Sequence, residues 1–203
     1  MADTAADQAL LTAASRDNAA GVKVALDAGA DIDARNNHGQ TALLLAVQSG
    51  NLALARDLIQ RGADINAEAL NHDTPWLLAG ALGRTEMLAA MLDTGKVDYG
   101  KRNRYGGDAL IPACERGHVE TVRLLLERSE IDVNHVNNFG WTGLLEAVVL
   151  SDGGSRHVEI VRLLLAAGAD PNIADKDGVT PLQHARDRRY DAIAAMIKDA
   201  GGT

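Results

Sequence analysis

The chain has 203 residues, 46% of them hydrophobic but only 3% aromatic, and a formal net charge of −8 at pH 7. So acidic a chain is a poor general ligand for nucleic acid or an anionic membrane. The single cysteine, Cys114, excludes an intramolecular disulfide and suits a reducing compartment. No apolar run reaches membrane-spanning length, and Met1-Ala2-Asp3-Thr4 is not the basic-then-apolar opening of a secretory leader. Together these features predict a cytoplasmic protein with a tightly stacked core of Ala, Leu, Val and Ile.

Taken in order, residues 1–6 are expected to fray. Residues 7–36 predict a first helix pair, with Leu10, Leu11, Ala13 and Ala14 on one apolar face and Val22, Val24, Ala25 and Leu26 on the next. Asp7, Gln8, Arg16, Asp17 and Lys23 give it the polar outer surface of a terminal unit. Next comes Gly50-Asn51-Leu52-Ala53-Leu54-Ala55-Arg56-Asp57-Leu58-Ile59, then Gly83-Arg84-Thr85-Glu86-Met87-Leu88. Closer copies follow as Gly117-His118-Val119-Glu120-Thr121-Val122-Arg123-Leu124-Leu125-Leu126 and His157-Val158-Glu159-Ile160-Val161-Arg162-Leu163-Leu164-Leu165. Each places its apolar residues at helical spacing. One such short helix cannot bury its face alone, whereas a stack can.

The period is measurable. Helix openers fall at Thr41, Thr74, Asp108, Thr142 and Thr180, in steps of 33, 34, 34 and 38 residues. A Thr or Asp there can cap the helix through its side-chain oxygen, and Pro75 and Pro181 sit at the first helical position, where no N–H is needed. Gly29, Gly62 and Gly168 are placed to end second helices with positive φ. On these motifs, which recur from about residue 7 to 200, the chain resembles the ankyrin repeat family. Tyr105-Gly106-Gly107 and Pro112-Ala113-Cys114-Glu115-Arg116-Gly117-His118 are similar to phrases of small stand-alone bacterial members. The resemblance implies an all-α solenoid, a single domain over 1–203. It would hold about six repeats of paired antiparallel helices with short β-hairpin fingers, at about 7–36, 37–69, 70–103, 104–137, 138–175 and 176–200.

Several positions depart from the pattern. His72 stands where a finger glycine is expected, at a cost if φ is positive. Trp76 replaces the first core leucine and reads as core. Pro112, in the first turn of its helix, should forfeit one backbone bond and bend the helix start. Val148-Val149-Leu150-Ser151-Asp152-Gly153-Gly154-Ser155-Arg156 contains a five-residue insertion, expected to lengthen the first helix of its repeat by about a turn before a Gly-Gly loop. In the last repeat Arg186, Asp187, Arg188, Arg189, Lys198 and Asp199 replace an apolar face and mark the C-terminal cap.

The chemistry-bearing residues are scattered. His38, His72, His118, His135, His157 and His184 show no metal-ligand spacing, and His118 and His157 hold the family's hydrogen-bonding position between repeats. Cys114 falls where the family has a packed Ala, which favours a buried thiol over a nucleophile. Gly106-Gly107 and Gly153-Gly154 do not make phosphate loops. The basic runs Lys101, Arg102, Arg104 and Arg186, Arg188, Arg189 read as solvated turn and cap.

Aromatic placement is more informative. Tyr105, Phe139 and Trp141, half of the six aromatic residues, fall at finger tips. They either pad neighbouring fingers or form a binding hot spot, which interfaces build from Trp, Tyr and Arg. The resemblance implies protein–protein recognition through the concave face and fingers. The candidate contact residues are Arg104, Tyr105, Glu115, Arg116, Asn138, Phe139 and Trp141, with Asn37, His38, Gln40 and Gln48 in repeat two. The expectation is a non-catalytic, monomeric binder of an unknown partner protein, with no cofactor, metal, nucleic acid or membrane. The competing classes are a hydrolase built from scattered His, Cys and Asp, and a nucleic-acid binder.

Overall fold

The computed structural model describes residues 4–203. Contacts between residues gather into two compact units, one ending at Arg104 and one running from Tyr105 to Thr203. The N-terminal unit holds α1 (Thr4–Ser15), α2 (Ala19–Asp27), α3 (Ala42–Ser49), α4 (Leu52–Gln60), α5 (Pro75–Ala81) and α6 (Thr85–Leu92). The C-terminal unit holds α7 (Leu110–Glu115), α8 (Val119–Arg128), α9 (Gly143–Val149), α10 (Ser155–Ala166), α11 (Pro181–Asp187) and α12 (Asp191–Asp199). In each unit consecutive helices pair antiparallel. First helices stack on first helices, as α3 on α5 and α9 between α7 and α11, and second helices on second, as α4 on α6 and α10 between α8 and α12. This is a helical repeat solenoid.

The openers act as expected. The Oγ1 atoms of Thr41, Thr74, Thr142 and Thr180 accept from the backbone N–H three residues on, and Gln183 completes a capping box with Thr180. Such a cap contributes roughly 1 kcal/mol. Behind the caps, Leu43, Leu54, Leu58 and Leu88 in one unit and Leu125, Leu145, Ile160 and Leu164 in the other are wholly buried. Each such side chain contributes about 1.5–3 kcal/mol by leaving water.

The fingers are turns rather than strands: no strand occurs among the described residues. In three of them an Asx side chain, Asn36, Asn137 or Asp175, closes the turn, and backbone bonds tie neighbouring fingers together, as Leu70 N–H to His38 O at 3.0 Å and Asn138 N–H to Tyr105 O at 2.9 Å. His72 does adopt the left-handed conformation, φ 64°, and its Nδ1 lies 2.6 Å from Glu68 Oε1. Trp76 is core, 2% exposed, with its ring edge-on to Tyr99 at 6.0 Å.

Pro112 leaves a visible trace. In the other repeats the residue four after the opener donates to the opener's carbonyl, as Leu45 to Thr41 and Glu146 to Thr142. Pro112 has no N–H to do so, and α7 begins two residues after Asp108 rather than one. Asp108 offsets this by accepting from both Leu110 N and Ile111 N, at 2.9 and 3.1 Å.

Three expectations need correction. Thr4–Ala6 belong to α1, where Ala6 is buried, so only residues 1–3 of the stretch expected to fray lie outside the described residues. Val24 is 68% exposed: two residues from buried Val22, it sits about 200° round the helix, on the opposite side. The insertion lengthens the second helix of its repeat, not the first. α9 stops at Val149, while α10 starts at Ser155, before the His157-Val158 register expected from the other repeats. Ser151 and Asp152 explain the early stop, because their side chains bond backbone in ways that compete with helix. Ser151 Oγ accepts from Gly153 N–H at 3.2 Å, and Asp152 Oδ1 from Gly154 N–H at 2.9 Å. Tyr190 then pins the loop, its hydroxyl donating to Ser151 O at 2.7 Å and its ring covering Gly153 where a Cβ would stand.

Candidate functional site

In the C-terminal unit the finger between α8 and α9 is built on Asn137, itself 7% exposed. Asn137 Oδ1 accepts from the backbone N–H groups of Phe139 and Trp141, at 2.9 and 3.0 Å, and so fixes the tip that carries both rings. The three predicted tip aromatics meet as a continuous row. Tyr105 and Phe139 have centroids 5.7 Å apart, and Phe139 and Trp141 6.3 Å, in tilted arrangements. Tyr105 and Phe139 remain 45% and 53% exposed despite that contact, and Val136 in the same finger is 43% exposed. The rings therefore both pad neighbouring fingers and present surface. Asn138 is exposed, and its carbonyl accepts from Lys176 Nζ on the following finger.

Asn137 Nδ2 points the other way and donates to Glu146 Oε1 at 2.8 Å. Glu146, on α9, is only 5% exposed. Burial, followed by repulsion from Glu115 on α7, pushes its carboxyl up to about 7, against the Asn137 bond and a weaker attraction from Arg116. A carboxyl half-ionised near neutral pH thus stands one asparagine away from the aromatic tip. Glu115 is half-buried and Arg116 exposed at the end of α7. Arg104, exposed, is the last residue of the N-terminal unit.

Of the four repeat-two candidates, Gln40 and Gln48 join a side-chain network with Asn36 in the N-terminal unit, and His38 joins it through its backbone N–H. Asn36 Oδ1 accepts from His38 N and Gln40 N, Asn36 Nδ2 donates to Gln40 Oε1, and Gln40 Nε2 donates to Gln48 Oε1 at 3.2 Å. Asn37, His38 and Gln48 are exposed and Gln40 half-buried.

Two residues, Asn137 in the finger and Glu146 on α9, escape the sequence reading. Asn137 has a signal: Asn36 and Asp175 make the same double bond in their own fingers. Glu146 has none, because a glutamate in the first turns of a short helix ordinarily faces water.

The reactive side chains are occupied structurally. Cys114 is wholly buried, and burial followed by the Asp108 and Glu146 carboxylates holds its thiol well above the ordinary range. His157 bridges repeats, with Nε2 3.0 Å from Glu115 O, and His184 Nε2 lies 2.7 Å from Asp175 Oδ2. No group of three His, Cys, Asp or Glu side chains among the described residues is placed to hold a metal. None of the described helices is long and apolar enough to cross a membrane.

Capped helix pairs in series, joined by turns of one design that present different side chains, define a helical repeat protein. The comparisons specify which. Models of ankyrin repeats match residues 2–69 and residues 110–152 and 149–193. A solved ankyrin repeat domain from Acinetobacter baumannii is 50% identical, covers 96% of this chain and 98% of its own, and superposes with a TM-score of 0.90. YahD, an ankyrin repeat protein of Escherichia coli K12, is 50% identical over 106 residues, 52% of this chain and 53% of that one. Cyclin-dependent kinase 4 inhibitor B of Bos taurus is 42% identical over 100 residues, 48% of this chain and 70% of that one. The chain belongs to the ankyrin repeat family. Its match to YahD spans about half of that relative's length.

Proposed function

We propose that this protein is a non-catalytic binder of a partner protein, and that the partner seats on the aromatic finger of the C-terminal unit. Ankyrin repeats are generally protein–protein interaction modules, and one relative is named for the kinase it inhibits. The observation that carries the proposal is the row Tyr105–Phe139–Trp141, in which Asn137 fixes the backbone of Phe139 and Trp141 while the Tyr105 and Phe139 rings stay exposed. A preformed aromatic surface loses little ordering entropy on binding, and exposed rings are the residues that interfaces use as anchors. Asn138 and Phe139 form the crest, Glu115 and Arg116 the neighbouring helix end. Arg104 and the repeat-two residues Asn37, His38, Gln40 and Gln48 are proposed as further contacts.

The test is affinity capture from the native host, followed by titration of the captured partner against the wild type and a Tyr105→Ala/Trp141→Ala double variant. The double variant should lose about 2 kcal/mol or more of binding, with a nearly unchanged melting temperature. Equal affinities would remove this surface as the binding site. A large fall in melting temperature would assign the rings to finger packing.

A further inference from the structure

We propose that Asp33 is a proton-operated fastener between the loop after α2 and the loop after α4. Protonated, it donates to the Gly62 carbonyl, completing a bond that asparagine makes elsewhere in the chain. Ionised, it leaves that bond unmade. Neither residue belongs to the surface proposed above for a partner.

Equivalent positions along the chain carry the inference. Four times, a backbone N–H after one second helix donates to a side-chain oxygen in the loop after the second helix before it. The pairs are Asp64 to Asp33 at 2.8 Å, Asp98 to Asn66 at 2.9 Å, Asp170 to Asn134 at 2.8 Å and Thr203 to Asn172 at 3.0 Å. Two of the three asparagines also use their amide group. Asn66 Nδ2 donates to Lys96 O at 2.8 Å, and Asn172 Nδ2 to Gly201 O at 3.2 Å. Each of these carbonyls lies two residues before the N–H that the same asparagine receives. For Asp33, which receives Asp64 N–H, the corresponding carbonyl is that of Gly62. Where asparagine has a donor, Asp33 has its second carboxylate oxygen, and this oxygen has no hydrogen-bond or ion-pair partner among the described residues. Two acceptors cannot bond each other unless one carries a proton.

The surroundings favour that proton. Asp33 is half-buried. Burial first, then repulsion from Asp64 and Asp31, raises its carboxyl above its ordinary value, against the Asp64 N–H bond and the attraction of Arg35. On the neighbouring helices, Asp7 of α1 accepts from Asp31 N–H at 2.7 Å. Arg61, which ends α4, is bonded to Asp57 and lies 4.0 Å from Asp27 of α2. Asp33 thus holds its proton more tightly in the folded chain than in the unfolded one. The fastening is complete below the unfolded value and is lost as pH rises through the folded one. At neutral pH the α1–α2 pair is held by one bond fewer than an asparagine would give it.

The test is NMR of the full chain labelled with 13C, following the Asp33 carboxyl and the Gly62 carbonyl through an acid titration. Both should titrate with one midpoint, above the ordinary aspartate value of about 3.9. In Asp33→Asn the Gly62 carbonyl should no longer titrate. At neutral pH, native-state hydrogen exchange of α1 and α2 should be about fivefold slower in Asp33→Asn than in the wild type, the factor that one net hydrogen bond contributes. The two should converge in acid. An Asp33 that titrates at or below the ordinary value, or a Gly62 carbonyl indifferent to that titration, would overturn the proposal on the wild type alone. Equal exchange at neutral pH would overturn the fastening.

Discussion

Two fingers of this chain use the same backbone device for different ends. In repeat two, Asn36 closes the turn and spends its amide group on Gln40, which hands on to Gln48. In repeat five, Asn137 closes an equivalent turn, but its amide reaches Glu146 and its tip carries Phe139 and Trp141. The first finger ends in neutral amides satisfied by one another, the second in exposed rings above a buried acid. Since the turn is held by the asparagine and by backbone bonds, the tip side chains can vary without loss of the fold. Identity of scaffold with divergence of tip is what a recognition module requires.

The comparison breaks most severely in the shared core. Leu58→Ala and Leu125→Ala, both wholly buried in second helices, should each cost about 2–5 kcal/mol in chemical denaturation. A change below about half a kcal/mol at either site would show that the repeat is not built on it. At the turn itself the two fingers should separate. Asn137→Ala unpairs two backbone donors and a buried carboxyl and should cost about 2–4 kcal/mol. Asn36→Ala, in a more exposed turn, should cost about 1. Equal losses would mean that Glu146 gains nothing from the asparagine.

The buried acid predicts a pH dependence that the first finger lacks. Glu146 binds its proton more tightly folded, at about 7, than unfolded, near 4.5. Its contribution to stability is therefore complete below the unfolded value and is lost as pH rises through about 7. Glu146→Gln should leave stability unchanged at about pH 4 and raise it by about 1–3 kcal/mol above about pH 8, as read by thermal melts across that range. A variant less stable than wild type at high pH would refute the raised ionisation. Smaller still is the effect at the third finger: His72→Gly should gain roughly 0.5–1 kcal/mol by relieving a left-handed non-glycine residue. Any net gain will be trimmed by loss of the exposed Glu68 contact. Finally, Cys114 should react with a thiol reagent only as fast as the protein opens, whereas rapid labelling of the folded protein would place it at the surface.

Much of the molecule was legible before any coordinates. Openers at Thr41, Thr74, Asp108, Thr142 and Thr180 set the repeat register because capping is local: a side-chain oxygen and a backbone N–H three residues on. Buried Cys114 and Trp76 followed from that register, since their positions face the stack. Pro112 announced its missing bond because proline lacks the donor in any context.

What the sequence could not decide were questions of which neighbour wins. Ser151, Asp152, Gly153 and Gly154 stop α9 early and hand the extra turn to α10 because Tyr190, 39 residues away from Ser151, covers and bonds the loop. Glu146 looks solvated in its own helix and becomes buried only because α7 and α11 pack on either side of α9. Tyr105 becomes part of a row only because the next finger brings Phe139 to it. Periodicity, caps and turns are short-range physics and are written in consecutive residues. Burial of a charge, the direction in which an insertion grows and the assembly of a surface depend on atoms a whole repeat away.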